Sequence, residues 1–277
     1  MKRIDRLFTK RHRSAGFVFL LFVVMAGAFW PLQPSSAAIR RLTYTALGDS
    51  IAFGLYAPPG HAYVPLYAGY LQSDLSLPVL LLPLGIPAWT SGDLLNALRT
   101  NSLFRTAVFF SDVVTWDIGG NDLIRNARSF YKAKICGGAD NQQCLRDAVQ
   151  TFESNWDGII NEILTLRRSR PTLVRTMDIY NPFVDVDQAS DTWPGDSGND
   201  FQVVNGYLDQ VNSYIAATAS ARHIAYAPVH QAFNGPTGTD DPGDKGLLGF
   251  DRIHPNAAGH ALIAQLLRSL GYTPIIP

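Results

Sequence analysis

Cysteine is scarce in this sequence, with only Cys136 and Cys144 among 277 residues. Two thiols exclude a fold held by a disulfide framework, and with no histidine nearby they are too few for a metal site. Internal repeats and low-complexity tracts are also absent, and 23 Gly and 17 Pro exclude a collagen-like chain. Because 47% of the residues are hydrophobic, intrinsic disorder is excluded and the length suits one globular core.

An excess of charge is lacking as well, since 23 Lys and Arg residues balance 23 Asp and Glu residues. The balance is uneven along the chain. Residues 1–38 contain one acid, Asp5, and six basic residues: Lys2, Arg3, Arg6, Lys10, Arg11 and Arg13. Residues 39–277 therefore carry 17 basic and 22 acidic groups. Because phosphate binding needs a basic surface, this acidic body argues against nucleic acid as a partner.

Apolar runs long enough to span a bilayer are missing too. The longest, residues 15–30, is shorter than the ~20 residues of a typical membrane-spanning helix. It follows a basic segment and precedes small residues ending at Ala37 and Ala38, a pattern typical of a secretory signal peptide. We therefore predict a signal peptide over residues 1–38, with an uncleaved anchor as the alternative, and a single secreted or extracytoplasmic domain over residues 39–277.

The compartment bears on the two cysteines, which are separated by seven polar or small residues. In an exported protein, Cys136 and Cys144 are expected to form a disulfide that closes a small surface loop. Two free thiols are the alternative.

Apolar segments of strand and helix type alternate along the body, which predicts an α/β fold with a parallel sheet covered on both faces. The predicted strands cover residues 41–47, 78–86, 112–118, 172–179 and 223–229. The predicted helices cover residues 63–75, 90–99, 144–167, 201–219 and 256–270. The continuous apolar run at 78–86 is typical of a buried parallel strand. Long polar loops are expected at 123–143, 182–200 and 231–250, where they could serve as binding elements or lids.

Residues that can carry chemistry follow the predicted strands, at the edge where parallel sheets bind ligands. They form four short blocks: Gly48-Asp49-Ser50, Gly85, Gly119-Gly120-Asn121-Asp122 and Asp251-Arg252-Ile253-His254. Acyl transfer needs a nucleophile, a base, an acid that orients the base, and donors for an oxyanion. The blocks supply all of these, although each residue alone also fits an ordinary turn or helix cap.

Together the four blocks, in this order, resemble the signature of the SGNH hydrolases, also called the GDSL esterase/lipase family. The resemblance runs from about Leu42 to the C-terminal helix and implies a three-layer α/β/α sandwich with a five-stranded, flavodoxin-like parallel sheet. It implies Ser50 as nucleophile, His254 as general base and Asp251 as the acid that orients it. It also implies an oxyanion hole formed by the backbone N–H groups of Ser50 and Gly85 and the side-chain amide of Asn121.

The chemistry of these residues agrees with the implied roles. A glycine at position 85 would let the backbone approach a substrate closely, and Asn121 would donate from a neutral amide. We expect Asp49 to be structural, bonding loop amides around the site. Gly48-Asp49-Ser50 also approaches the nucleophile elbow of α/β-hydrolases, but that fold places several strands before its serine and separates its acid from its histidine. We therefore reject that alternative.

The resemblance implies a serine esterase or lipase that acts on small-molecule or lipid esters through an acyl-serine intermediate. A carbohydrate acetylesterase or a thioesterase of the same fold is an alternative, and a secreted binding protein without catalysis is another. No metal and no organic cofactor is implied, and transient contact with a lipid surface is compatible with the apolar segment 52–70, which could line an acyl pocket. Trp89, Trp116 and Trp193 are candidate sugar platforms, although Trp116 lies inside a predicted strand.

Overall fold

The structure is a computed structural model that describes residues 40–195 and 198–275. The predicted signal peptide, residues 1–38, lies outside the described residues. In the described part of the chain, no helix combines the length and the hydrophobicity needed to cross a membrane.

Five parallel strands form one sheet in the order β2-β1-β3-β4-β5. The strands are β1 (Leu42–Gly48), β2 (Val79–Gly85), β3 (Val113–Asp117), β4 (Leu173–Met177) and β5 (Ala225–Ala227). This is the strand order of flavodoxin-like doubly wound sheets, in which the crevice for ligands opens where the winding reverses beside the first strand. The predicted fold class and the five-stranded parallel sheet are thereby confirmed.

Helices cover both faces of the sheet. In chain order they are α1 (Ser50–Phe53), α2 (Tyr63–Leu75), α3 (Ser91–Thr100), α4 (Ser102–Phe110), α5 (Arg128–Lys132), α6 (Gln143–Arg167), α7 (Val184–Gln188), α8 (Asp200–Ala221), α9 (Val229–Asn234) and α10 (Ala257–Ser269). Side chains alternate across β1, so Tyr44 and Ala46 join the core beneath α2 and α10, whereas Leu47 joins the core beneath α3, α4, α6 and α8.

The predicted strand at 78–86 is present, but the prediction that it is buried is wrong. β2 is an edge strand, its residues are half-buried or exposed, and Leu80 is 39% exposed. A run of apolar residues indicates a strand in a parallel sheet but does not tell whether a second strand pairs with its outer side. The strand itself was located correctly to within one residue at each end.

The prediction of three continuous loops is also wrong, because each contains helical structure. A π-helical segment (Asn121–Ala127) and α5 occupy the start of the first loop, α7 lies in the second and α9 in the third. Buried side chains such as Ile124 and Phe233 anchor these turns in the core, so tertiary packing overrides the turn-rich composition. Helix α4 was not predicted; Asn101 caps it by accepting the N–H of Leu103 at 2.9 Å.

Cys136 and Cys144 form the predicted disulfide, with their Cα atoms 4.8 Å apart. The bridge closes the loop that leads into α6, and the N–H of Cys144 also donates to the carbonyl oxygen of Cys136 at 2.9 Å. The short covalent loop therefore fixes the start of the longest helix in the described chain.

Candidate active site

Ser50 lies at the first position of helix α1, directly after strand β1. Asp49 caps this helix, since its side chain accepts the N–H of Ile51 at 2.9 Å. The turn from strand to helix requires glycine at position 48, where φ is +140° and a Cβ atom would collide with the side chain of Asp117. The sequence Gly-Asp-Ser therefore ends the strand, caps the helix and places the serine hydroxyl at the ligand-binding edge of the sheet.

His254 reaches Ser50 from a loop that precedes α10. Its Nε2 atom lies 2.9 Å from Ser50 Oγ, although 204 residues separate the two in sequence. Its Nδ1 atom bonds to the carboxylate of Asp251. The structure therefore brings the three predicted residues together, and their contacts lead from the hydroxyl through the imidazole to the carboxylate.

The spacing of Asp251 and His254 has a local structural cause. Asp251 Oδ1 accepts the backbone N–H groups of Ile253 and His254, each at 3.1 Å, so the carboxylate folds the turn that presents the imidazole. Burial disfavours ionisation of Asp251, but hydrogen bonds from the His254 side chain and from these amides outweigh it and lower the pKa of Asp251. Asp251 is therefore held as a carboxylate beside the imidazole.

Asn121 begins the π-helical segment after β3 and lines the same cavity as Ser50. Its Nδ2 group donates to the carbonyl oxygen of Trp89 at 2.9 Å and to Asp49 Oδ2 at 3.4 Å. An amide nitrogen carries two hydrogens, so both are directed at oxygens of the protein. The contact with Asp49 is long, and it is the one that would yield most easily to a stronger acceptor.

Two buried carboxyl groups lie beneath Ser50. Asp49 and Asp117 are 5% and 6% exposed, and Asp117 Oδ1 accepts the backbone N–H of Asp49 at 3.2 Å. Burial raises the pKa of Asp49 to about 7, and burial together with the nearby Asp49 raises the pKa of Asp117. Burial therefore disfavours the charged form of both carboxyl groups. As expected, Asp49 accepts hydrogen bonds from amides around the site, namely the backbone N–H of Ile51 and the side-chain amide of Asn121.

Gly85 lies opposite Gly48 in the register of β1 and β2. A Cβ atom at this position would lie 2.5 Å from the backbone nitrogen of Phe53 and 2.7 Å from atoms of Ala52, both in helix α1. Gly85 is not among the described residues that line the cavity. The physical need for glycine is therefore close packing against the helix that carries Ser50, rather than approach to a substrate, and its role as an oxyanion donor stays a prediction.

A cavity of about 480 Å³ opens at Ser50, His254 and Asn121. Its apolar wall is formed by Ile51, Leu55, Tyr56, Pro87, Ile118, Ile124, Met177, Ile179, Tyr180, Pro182, Phe183, Val229 and Ile253. Tyr56 packs edge-on against His254 and against Phe250, with ring centroids 5.5 and 4.8 Å apart. Phe250 is 82% exposed and Tyr56 is 53% exposed, so an aromatic rim borders the mouth of the cavity.

Sequence reasoning did not single out Phe250, Asp117 or Arg125, although Asp117 and Arg125 line the cavity. Phe250 could have been found because it directly precedes the Asp-x-x-His block, and Arg125 because it lies four residues after Asn121. The candidate sugar platforms have structural contacts instead. Trp116 is buried, and Trp89 and Trp193 pack against the core beneath α3, α4, α6 and α8.

Fold, site geometry and sequence together define the class of this protein. The profile of the GDSL-like lipase/acylhydrolase family matches residues 46–262, and the chain belongs to that family. It is 27% identical to the spore germination lipase LipC of Bacillus licheniformis over 236 residues, covering 83% of this chain and 97% of the relative.

Solved structures share the fold at lower sequence identity. The lipase Lip_vut3 from a goat rumen metagenome superposes with a TM-score of 0.68 and 24% identity, covering 84% of this chain and 99% of that one. A mutant of Axe2, an acetyl-xylooligosaccharide esterase from Geobacillus stearothermophilus, gives a TM-score of 0.56 and 22% identity, covering 84% of this chain and 96% of that one. At these identities the likeness establishes the fold.

Proposed function

We propose that this protein is an extracytoplasmic serine esterase that hydrolyses carboxylic esters through an acyl-serine intermediate. The observation that carries the proposal is the 2.9 Å separation of Ser50 Oγ and His254 Nε2, with Asp251 bonded to the other ring nitrogen. Membership in the GDSL-like lipase/acylhydrolase family supports an ester substrate.

The proton path follows from this geometry. The Ser50 hydroxyl donates to His254 Nε2, which takes the proton as Oγ attacks the carbonyl carbon of the ester. Asp251 accepts from Nδ1–H, which selects the required tautomer and stabilises the imidazolium. When the tetrahedral intermediate collapses, Nε2–H returns the proton to the departing alkoxide. Water then attacks the acyl-serine by the same route, and His254 finally returns a proton to Ser50 Oγ.

The negative charge that develops on the carbonyl oxygen needs donors. Ser50 is the first residue of α1, and the opening N–H groups of a helix have no partner within the helix. Asn121 supplies a second donor if Nδ2 exchanges its long contact with Asp49 for the oxyanion. Protonation of Asp49 weakens that contact, and the raised pKa of Asp49 favours the protonated form. The Gly85 N–H is proposed as the third donor.

The cavity supports esters with an apolar acyl or alkyl chain as the substrate class. Its wall is mainly aliphatic and aromatic, and a pocket of about 480 Å³ is within the range of small-molecule sites. The exposed rings of Tyr56 and Phe250 extend this apolar surface outward from the mouth. We expect activity to rise from acetyl to medium-chain esters as more of the chain is buried.

The direct test is hydrolysis of a chromogenic butyrate ester by Ser50→Ala. We expect turnover to be lost, whereas the matched control Ser73→Ala, on the exposed face of α2, should behave as the wild type. A fluorophosphonate probe should label the wild type at Ser50. Undiminished hydrolysis by Ser50→Ala would disprove the serine mechanism, and a wild type that neither turns over esters nor reacts with the probe would favour a binding protein.

Export is proposed from the basic and apolar N-terminal segment, and the Cys136–Cys144 disulfide supports it, because such bonds persist in oxidising compartments. Fractionation of cells that express the full chain should find a shortened, oxidised protein outside the cytoplasm. A full-length reduced protein in the cytoplasm would contradict this part of the proposal.

A further inference from the structure

Arg125 is a cation in the wall of the active-site cavity. Among the described residues that line this cavity it is the sole lysine or arginine. Its side chain is exposed, and within the described part of the chain it makes no hydrogen bond, ion pair or ring contact. Its backbone N–H donates to the carbonyl oxygen of Gly120 at 3.0 Å, which fixes the backbone from which the side chain extends.

The helical geometry explains why Arg125 lines the cavity. Arg125 follows Asn121 by four residues in the segment Asn121–Ala127, and residues at that spacing share a face. The i to i+5 bonding of a π-helix is rare and is frequently found at functional sites. The segment thus presents the candidate oxyanion donor and a guanidinium to the same space.

Arg128, in the next turn, shows what a structural arginine in this region looks like. Its guanidinium makes two hydrogen bonds to the buried carboxylate of Asp187, at 2.6 and 2.7 Å, and lies 3.9 Å from the ring centre of Phe183. Arg125 has no comparable contacts. Its position is therefore not explained by a role in holding the fold together.

No acid of the cavity forms an ion pair or a hydrogen bond with the Arg125 side chain in the described part of the chain. Asp251 is bonded to His254, and Asp178 accepts the backbone N–H of His230 at 2.7 Å. An anion that enters this apolar cavity would therefore meet a guanidinium that no carboxylate engages. A guanidinium can donate two parallel hydrogen bonds to a carboxylate or a phosphate.

We propose that Arg125 binds an anionic group, carboxylate or phosphate, of the ester substrate, so that the enzyme prefers anionic over neutral esters. The inference rests on the proposed esterase function and narrows its substrate class. The anion could be attached to the acyl chain or to the alcohol.

Two matched substrate pairs distinguish these positions. Mono-p-nitrophenyl adipate and p-nitrophenyl hexanoate differ by a carboxylate at the end of the acyl chain. Hexanoylglycerol phosphate and hexanoylglycerol differ by a phosphate on the alcohol. The measurement is the ratio of kcat/KM for the anionic ester to kcat/KM for the neutral ester, in the wild type, Arg125→Gln, Arg125→Lys and the control Arg222→Gln, which removes a charge at the exposed C-terminus of α8.

In at least one pair we expect the ratio to be about three- to tenfold lower in Arg125→Gln than in the wild type. An effect of this size lies between that of losing an exposed ion pair and that of losing a charge-assisted hydrogen bond. Arg125→Lys should retain part of the ratio, Arg222→Gln should retain all of it, and added salt should reduce it in the wild type. Because each ratio compares two substrates on one protein, a loss of folded enzyme cancels.

Equal ratios in the wild type and Arg125→Gln, in both pairs, would overturn the assignment. That result would not affect the esterase proposal, which is refuted by a different result: continued hydrolysis of the neutral esters by Ser50→Ala.

Discussion

Gly85→Ala tests how the sheet positions the nucleophile. The substitution adds a single methyl group and retains the backbone N–H that is proposed as an oxyanion donor. In the structure the added Cβ would lie 2.5 Å from the backbone nitrogen of Phe53 and 2.7 Å from two atoms of Ala52. The nearest obstacles are thus backbone atoms of the helix that begins with Ser50, which cannot rotate away as a flexible side chain could.

The size of the effect follows from these distances. Ordinary contacts of a Cβ atom begin at 3.4 Å, so helix α1 or strand β2 must move by about 0.9 Å. A misplacement of about 1 Å at reacting atoms can cost ~10²-fold in rate. Overpacking of this kind also costs about 1–3 kcal/mol of stability. We therefore expect kcat/KM to fall about 100-fold, with a folded protein that is measurably less stable.

The assay is hydrolysis of p-nitrophenyl butyrate together with urea unfolding. Gly69→Ala is the matched control, because its added Cβ meets no atom within 4 Å in the exposed part of α2. It should keep full activity and gain about 0.5–1 kcal/mol, as expected for replacing a helical glycine. If Gly85→Ala kept its activity within about threefold of the wild type at unchanged stability, the steric reasoning would be refuted.

Three further predictions concern the oxyanion donor, a buried histidine and the disulfide. Asn121→Ala should lower kcat by about 10²–10³, and a loss below about tenfold would remove Asn121 from the oxyanion hole. Burial lowers the pKa of His260 to about 4, so the folded state resists a proton that the unfolded chain accepts, and stability is lost as the pH falls from about 6.5 to about 4. In the wild type the Tyr63 N–H donates to His260 Nδ1 at 3.2 Å, and His260→Asn keeps an acceptor for it. In urea unfolding at several pH values, this variant should lose up to about 3 kcal/mol of the pH dependence of stability. If stability depended on pH in the variant as it does in the wild type, the burial argument would be contradicted. Replacing Cys136 and Cys144 by serine should cost about 2–3 kcal/mol, as expected for so short a closed loop, while leaving kcat/KM near the wild-type value; equal unfolding midpoints with and without the bridge would count against it.

Features set by short-range patterns were predictable from the sequence. The Asp-x-x-His block defines its own turn, because Asp251 bonds the amides of Ile253 and His254. Thr90 caps α3 in a reciprocal arrangement with Asp93, which lies three residues further along the chain. Such contacts depend on residues two or three positions apart, so their spacing can be recognised in the sequence.

Features that depend on several strands at once were not predictable. Asp117 lies under Ser50 because the sheet register places it beside Gly48, and no local pattern reports that register. The amide of Asn121 is held by Trp89 and Asp49, which belong to two other segments of the chain. The actual need for glycine at position 85 likewise became visible only once helix α1 was placed against β2.

The proposed mechanism requires the Ser50 hydroxyl to become acylated during turnover. Acid quenching of the enzyme within its first turnovers of p-nitrophenyl butyrate, followed by mass spectrometry of its peptides, measures this directly. We predict a butyryl group on the peptide that contains Ser50, at Oγ, and none after quenching His254→Ala under the same conditions. Butyryl transfer to a different residue would contradict this mechanism, and so would steady hydrolysis of an ester whose acyl group is removed slowly if no acylated serine were detected.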